Sequence, residues 1–127
     1  MKTLLTISTF VFIFMFSSPS FADWTKVTES VDGNTFYVDF ERIRKVDGFV
    51  YYWELGDLLK PYSDGTLSYK VYTQGDCKLF RFKSLSGSSH KEPMGGGTGK
   101  DFPLSDKWTY PSPNSSMETI LKSVCSR

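Results

Sequence analysis

Residues 113–127 read PNSSMETILKSVCSR, and this closing stretch decides the fold. Ser115 can cap a helix, Glu118 three residues on completes a capping box, and Pro113 stops the extended segment before it. Met117, Ile120, Leu121, Val124 and Cys125 then recur at helical spacing, which places all five on one stripe. Such a stripe has to be buried against a second layer.

The sequence upstream supplies that layer as short strands between turn signals. The first runs from Trp24 to Glu29 and ends at Asp32-Gly33-Asn34, residues that accept a tight reversal. The second, Thr35 to Phe40, puts Phe36, Val38 and Phe40 on one face and Tyr37 and Asp39 on the other. Glu41 to Lys45 fits either a helical turn or continued strand. Asp47-Gly48 then marks a hairpin into Phe49 to Leu55, where Phe49, Tyr51, Trp53 and Leu55 alternate with Val50, Tyr52 and Glu54. The first set is expected to face the core and the second to be half exposed. After the loop Lys60 to Gly65, a fourth strand covers Leu67 to Thr73. Gln74-Gly75-Asp76 turns the chain into a fifth, Cys77 to Leu85. From Ser86 to Pro113 Gly, Ser and Pro dominate, which gives a long loop with room for one edge strand near Trp108 to Tyr110. The expected class is α+β: an antiparallel sheet of five to six strands with a C-terminal helix on one face.

The other end of the chain has the features of an export signal. Lys2 precedes an apolar run from Leu4 to Phe16, and Ser20-Phe21-Ala22 offers a small-x-small cleavage site. The run is shorter than the ~20 residues of a membrane span. Residues 1–22 are therefore expected to be removed, leaving 23–127 as one domain of about 105 residues with no span of its own. No cysteine stands at the cleavage site, so lipid attachment there is not expected, and the location would be periplasmic or secreted. Loss of Lys2 brings the basic residues level with the 14 acidic ones. A neutral domain has no field suited to nucleic acid.

An oxidising compartment makes the two cysteines, Cys77 and Cys125, candidates for a disulfide; the alternative is a pair of buried thiols. Cys125 lies on the buried stripe and Cys77 is placed at the start of a strand beneath it, so the bond would pin helix to sheet. Two thiols alone do not make a metal site, and no cofactor is expected.

Catalytic chemistry is poorly represented. The single imidazole, His90, sits between Ser89 and Lys91 in what reads as a solvated loop. Asp39, Glu54 and Asp57 could face a groove, but their spacing matches solvent-side strand positions. Met94-Gly95-Gly96-Gly97-Thr98-Gly99-Lys100-Asp101 departs from a phosphate-binding loop at its first position and at its last, and Pro103 opposes the helix such a loop requires. The reading is not an enzyme, with a small hydrolase using Asp39, Asp57 and His90 as the alternative to be tested.

Taken in order, Trp24, Tyr37-Val38-Asp39, Asp47-Gly48, Trp53-Glu54-Leu55, Asp76-Cys77, Met94-Gly95-Gly96-Gly97, Trp108-Thr109-Tyr110-Pro111 and Pro113-Asn114-Ser115 closing at Val124-Cys125 resemble the surface-adhesin protein E family of exported bacterial proteins. The resemblance implies an antiparallel sheet with a disulfide-fastened C-terminal helix, and a role in binding host matrix or plasma proteins. It carries over no binding residue. From the residues themselves, Tyr37, Tyr52, Tyr69 and Tyr72 are candidates for partner contact, since an exposed Tyr offers area with a polar tip. The expected protein is a binding module, monomeric or homodimeric, with an envelope-resident assembly factor as the alternative.

Overall fold

The computed structural model describes residues 22–127; the expected export signal lies almost wholly outside them. Seven strands form one antiparallel sheet: β1 (Thr25–Glu29), β2 (Thr35–Val38), β3 (Arg44–Val46), β4 (Phe49–Asp57), β5 (Ser68–Asp76), β6 (Arg81–His90) and β7 (Lys100–Asp101). Their order is β1-β2-β4-β5-β6-β7, with β3 also paired to β4. The helix α1 (Ser116–Cys125) closes the chain. Among the described residues no helix is long and apolar enough to cross a membrane.

Local chemistry explains the elements. Asp47 and Gly48 both take positive φ, as a two-residue hairpin matched to strand twist requires, and β3 returns as β4. Between β2 and β3 the chain makes a 3-10 turn at Phe40–Arg42, so the second strand stops at Val38. Ser115 caps α1 by accepting from the Glu118 amide at 3.2 Å, while Glu118 Oε1 accepts from the Asn114 amide at 3.3 Å, one residue before the usual capping-box position.

The helix lies across β1, β2 and β4. Ile120, Leu121 and Val124 are fully buried there against Val38, Val50 and Tyr52, with Met117 and Cys125 at the margin. Gly75 makes the approach possible: a Cβ there would fall 3.0 Å from Leu121 Cδ1 and 2.8 Å from Val50 Cγ1. The helical stripe is as the sequence indicates, but the faces of β4 are reversed. Val50, Tyr52 and Glu54 face the core, whereas Phe49, Tyr51 and Trp53 lie half buried on the helix-free side. Register decides this: Val38 opposes Glu54, and alternation along β4 carries Tyr52 and Val50 to the same face.

Burying Glu54 with that face has an electrostatic cost. Tyr52 Oη, Glu54 Oε2 and Thr73 Oγ1 are buried without a hydrogen-bond partner among the described residues. Burial pushes the Glu54 carboxyl from an ordinary 4.5 up to about 7, with the Thr73 hydroxyl opposing part of the rise. The Tyr52 phenol is likewise raised by burial and by the Glu54 charge.

Cys77 and Cys125 are bonded, their Cα atoms 5.6 Å apart. Cys77 does not open a strand; it sits in the turn between β5 and β6. Asp76 builds that turn, its Oδ1 accepting from the Lys78 and Leu79 amides at 3.1 Å each and its Oδ2 from Arg81 Nε at 3.0 Å. These bonds, the Leu79 amide foremost, hold the Asp76 carboxyl below its ordinary range.

The bond closes a 48-residue separation, so replacing both cysteines by serine is expected to lower stability by about 4 kcal/mol through loop-closure entropy, read from urea denaturation of the two proteins. Glu54 holds its proton more tightly in the folded chain than in the unfolded one. Its contribution therefore favours the fold below pH 4.5 and is lost as pH rises to about 7. The unfolding free energy read from urea denaturation should fall across that window by about 3 kcal/mol in the wild type and stay level in Glu54→Gln.

Candidate functional site

The helix-free face carries a row of aromatic side chains contributed by alternate residues of the central strands. Trp53 stacks on Tyr72 of β5 at 5.0 Å between centroids, and Tyr72 meets Tyr51 at 6.3 Å. Phe49 continues the row and stacks on Trp108 at 5.9 Å. Cations are interleaved: Arg81 lies over the Trp108 ring at 4.3 Å and Lys83 at 5.3 Å, while Arg44 stands opposite Tyr51. Two carboxylates answer them, Asp76 to Arg81 and Asp106 to Lys83. A bulge between Tyr72 and Thr73 brings Leu85 out beside the row. Arg44, Val46, Tyr51, Tyr72 and Leu85 then line a shallow groove of about 250 Å³.

Both ends of this face are covered by the segment that composition marks as a loop. Its first residues continue β6 as far as His90, and its last include a single bridge, Thr109 to Phe82, where an edge strand was expected. In between, Pro93–Gly95 folds down over Ser68 and Leu55, both fully buried. Gly95 takes positive φ, and a Cβ there would press on Lys70 and Leu55. Polar bonds fasten this cover. Ser68 Oγ donates to the Glu92 carbonyl at 2.6 Å and accepts from the Gly95 amide at 2.8 Å, while Asp57 Oδ1 accepts from the Met94 amide at 2.8 Å.

His90 belongs to the same fastening and is 4% exposed, not solvated. Its Nδ1 donates to the Gly96 carbonyl at 3.2 Å, and Nε2 meets Ser88 Oγ at 2.8 Å. That distance suits a nucleophile and its base. The space does not: a Cβ at Gly99 would lie 2.7 Å from His90 Cε1 and 3.1 Å from Ser88 Cβ, so backbone closes the approach. Asp57 and His90 thus share a structural task, and Asp39 lies apart from them in a cavity with Trp24, Trp53, Arg42 and Lys70. Among the described residues no group of three potential ligands could hold a metal ion.

The candidate tyrosines divide between the faces. Tyr37 and Tyr72 are half buried on the helix-free side. Tyr52 is fully buried beneath α1 and offers no contact surface. Tyr69 points to the helix side, where it lines a cavity of about 360 Å³ with Tyr62, Val71 and Phe102. Burial raises its phenol above the ordinary range. Phe49, Tyr51 and Trp53 were not singled out as surface residues in the sequence, because assigning their alternation to the core hid the row.

The sequence profile of surface-adhesin protein E matches residues 24–126. The chain belongs to that family. Two crystal forms of Haemophilus influenzae protein E superpose on it with TM-scores of 0.64 and 0.63 at 14% and 15% identity, covering 81% of this chain and 87% and 83% of theirs. Protein E from non-typeable Haemophilus influenzae gives 0.59 at 13% identity, with 86% and 79% covered. At such identities the likeness is one of fold. No curated protein sequence matches. Family membership makes this an adhesin-like binding protein, and the disulfide-fastened helix on an antiparallel sheet agrees with it.

Ser68 is the centre of the cover over the helix-free face, and Ser68→Ala strands a buried amide and a carbonyl. A loss of about 2 kcal/mol is expected, with faster amide hydrogen exchange at Gly95 than at strand residues of β4.

Proposed function

We propose that this adhesin-E family protein is a non-enzymatic binding module that holds a host matrix or plasma protein against its helix-free face, outside the cytoplasm. The observation that carries the reading is the groove of Arg44, Val46, Tyr51, Tyr72 and Leu85 within the aromatic row. Aromatic residues and Arg concentrate the energy of protein interfaces, and an indented centre with a polar rim is where an anchoring side chain seats. Cations outnumber the carboxylates answering them on this face, which favours an acidic partner segment. Export signal, disulfide and family membership all support a place beyond the membrane.

The test is capture of purified matrix and plasma proteins on immobilised protein. Wild type is expected to retain at least one of them, and the pair Arg44→Glu, Tyr72→Ala to weaken that binding by about a hundredfold, the loss of two central contacts. Tyr69→Ala, on the other face, should leave it unchanged. Equal binding by all three proteins would remove the helix-free face from the reading, and retention only of the cell's own envelope proteins would replace the host partner with an assembly role.

A further inference from the structure

The helix side of the sheet holds a cavity of about 360 Å³ over β5 and β6. Val71 and Ser89 give it a floor, and Tyr62, Tyr69 and Phe102 supply three aromatic walls. Two glycines make room for these rings. A Cβ at Gly56 would strike the Tyr69 ring and one at Gly87 the Phe102 ring, so both rings rest on bare backbone. The third ring belongs to the loop after β4, which is tied to itself and to the sheet. There the Tyr62 amide donates to the Thr66 carbonyl at 3.0 Å, the Gly65 amide to the Tyr62 carbonyl at 2.8 Å, and the Leu67 amide to the His90 carbonyl at 2.8 Å. Backbone bonds therefore hold the walls apart, and the space is not filled by their folding inward. A preformed, largely apolar concavity above about 300 Å³ is the usual shape of a small-ligand site.

The cavity opens into a more polar recess of about 230 Å³, with Asp64, Thr66 and Ser89 bordering both. Lys91 and Lys100 line that recess, exposed, and neither makes an ion pair among the described residues. Ser89 Oγ donates to the Lys100 carbonyl at 3.3 Å, which fixes the second lysine at the mouth. Asp64 is the one carboxylate in the lining, and it is already engaged. Its Oδ1 accepts from the Thr66 amide at 2.9 Å, and the Thr66 amide and hydroxyl hold its carboxyl below the ordinary range.

Charge and lining together restrict what fits. A cation would meet two ammonium groups, with the one counter-charge bonded elsewhere. A polyol would bring many hydroxyls to walls of ring and methyl carbon that leave most of them unmatched. A neutral hydrocarbon would use the apolar part and leave the ammonium groups to water. An apolar body with an acid group at one end uses both, and against aromatic walls a ring gains edge or stacking contacts that an alkyl chain does not. We propose that this cavity binds a small aromatic acid, its ring among Tyr62, Tyr69 and Phe102 and its carboxylate at Lys91 and Lys100. The site shares no residue with the groove on the opposite face, so this assignment and the protein-partner reading stand or fall separately.

The amide signals of Val71, Gly87 and Ser89 in a ¹H–¹⁵N spectrum of the purified protein report the site, and the Trp108 indole serves as the distant control. Four probes separate the chemistry: 3-phenylpropionate, its uncharged counterpart 3-phenylpropanol, its cationic counterpart 3-phenylpropylamine, and octanoate as an acid without a ring. The phenylpropionate is expected to shift the three amides with a Kd of about a millimolar or below while Trp108 stays in place, and the alcohol and amine to bind about tenfold more weakly or worse. Replacing both exposed lysines, Lys91→Met with Lys100→Met, should bring the acid to the level of the alcohol. Tyr62→Ala removes a ring that is 54% exposed, leaves the core untouched, and should weaken the acid and the alcohol alike by about fivefold. The assignment is overturned by the alcohol or the amine binding as tightly as the acid, by octanoate binding more tightly than phenylpropionate, by undiminished binding in the double lysine variant, or by amides that no probe moves at tens of millimolar.

Discussion

A ten-residue helix cannot cover both faces of a seven-stranded sheet, and the rest of the structure follows from that shortfall. The helix is roughly 15 Å long, while six hydrogen-bonded strands span about 24 Å. It therefore seals only β1, β2 and β4 on one side. Tyr69 and Phe102 close on the uncovered part of that side and leave a cavity between them. On the other side the Gly-rich segment and Trp108 cover opposite ends, and the aromatic row between them stays partly open. The exposed face is thus a consequence of the size of the core as much as a feature added to it.

A helix that short needs help to stay docked, and the help is covalent. Cys125 is in its last turn and Cys77 in a turn that Asp76 holds with hydrogen bonds accepted from two backbone amides and from Arg81. The anchor therefore ends on a stiff point of the sheet, which limits the freedom regained if the helix lifts. Against this gain stands Glu54, buried among Tyr52 and Thr73 with an oxygen unmatched. A core that tolerates such a group has a disulfide to offset it.

How much of this was legible depends on whether the deciding information was local. The helix, its cap and its buried stripe were readable because Ser115, Glu118 and the apolar residues lie within eleven positions of one another. The Asp47-Gly48 hairpin was readable for the same reason. The facing of β4 was not, because both alternations along Phe49 to Leu55 are apolar enough to be core. Only the pairing of Val38 with Glu54 selects between them, and a register is a relation between strands that no single strand states. Tyr51 and Tyr52 were exchanged between core and surface by that one ambiguity, whereas Tyr37, on the less ambiguous β2, lies on the side its alternation indicated. The Ser86 to Pro113 stretch was legible as irregular but not as a cover, since the contacts of His90 and Ser68 join residues that the composition treats as solvated.

An open aromatic face carries a risk of self-association, and the cations within it show how that risk is contained. Arg81 and Lys83 sit over Trp108 and occupy the face of its half-buried ring, while Arg44 borders the groove. A second copy laid on this surface would bring like charges together in a partly desolvated gap, which costs free energy that stacking of the rings has to overcome. An acidic partner meets the same groups with opposite sign. The charges that keep the face from binding itself are therefore the ones that favour a different molecule, and selectivity here needs no residue beyond those that make the surface soluble.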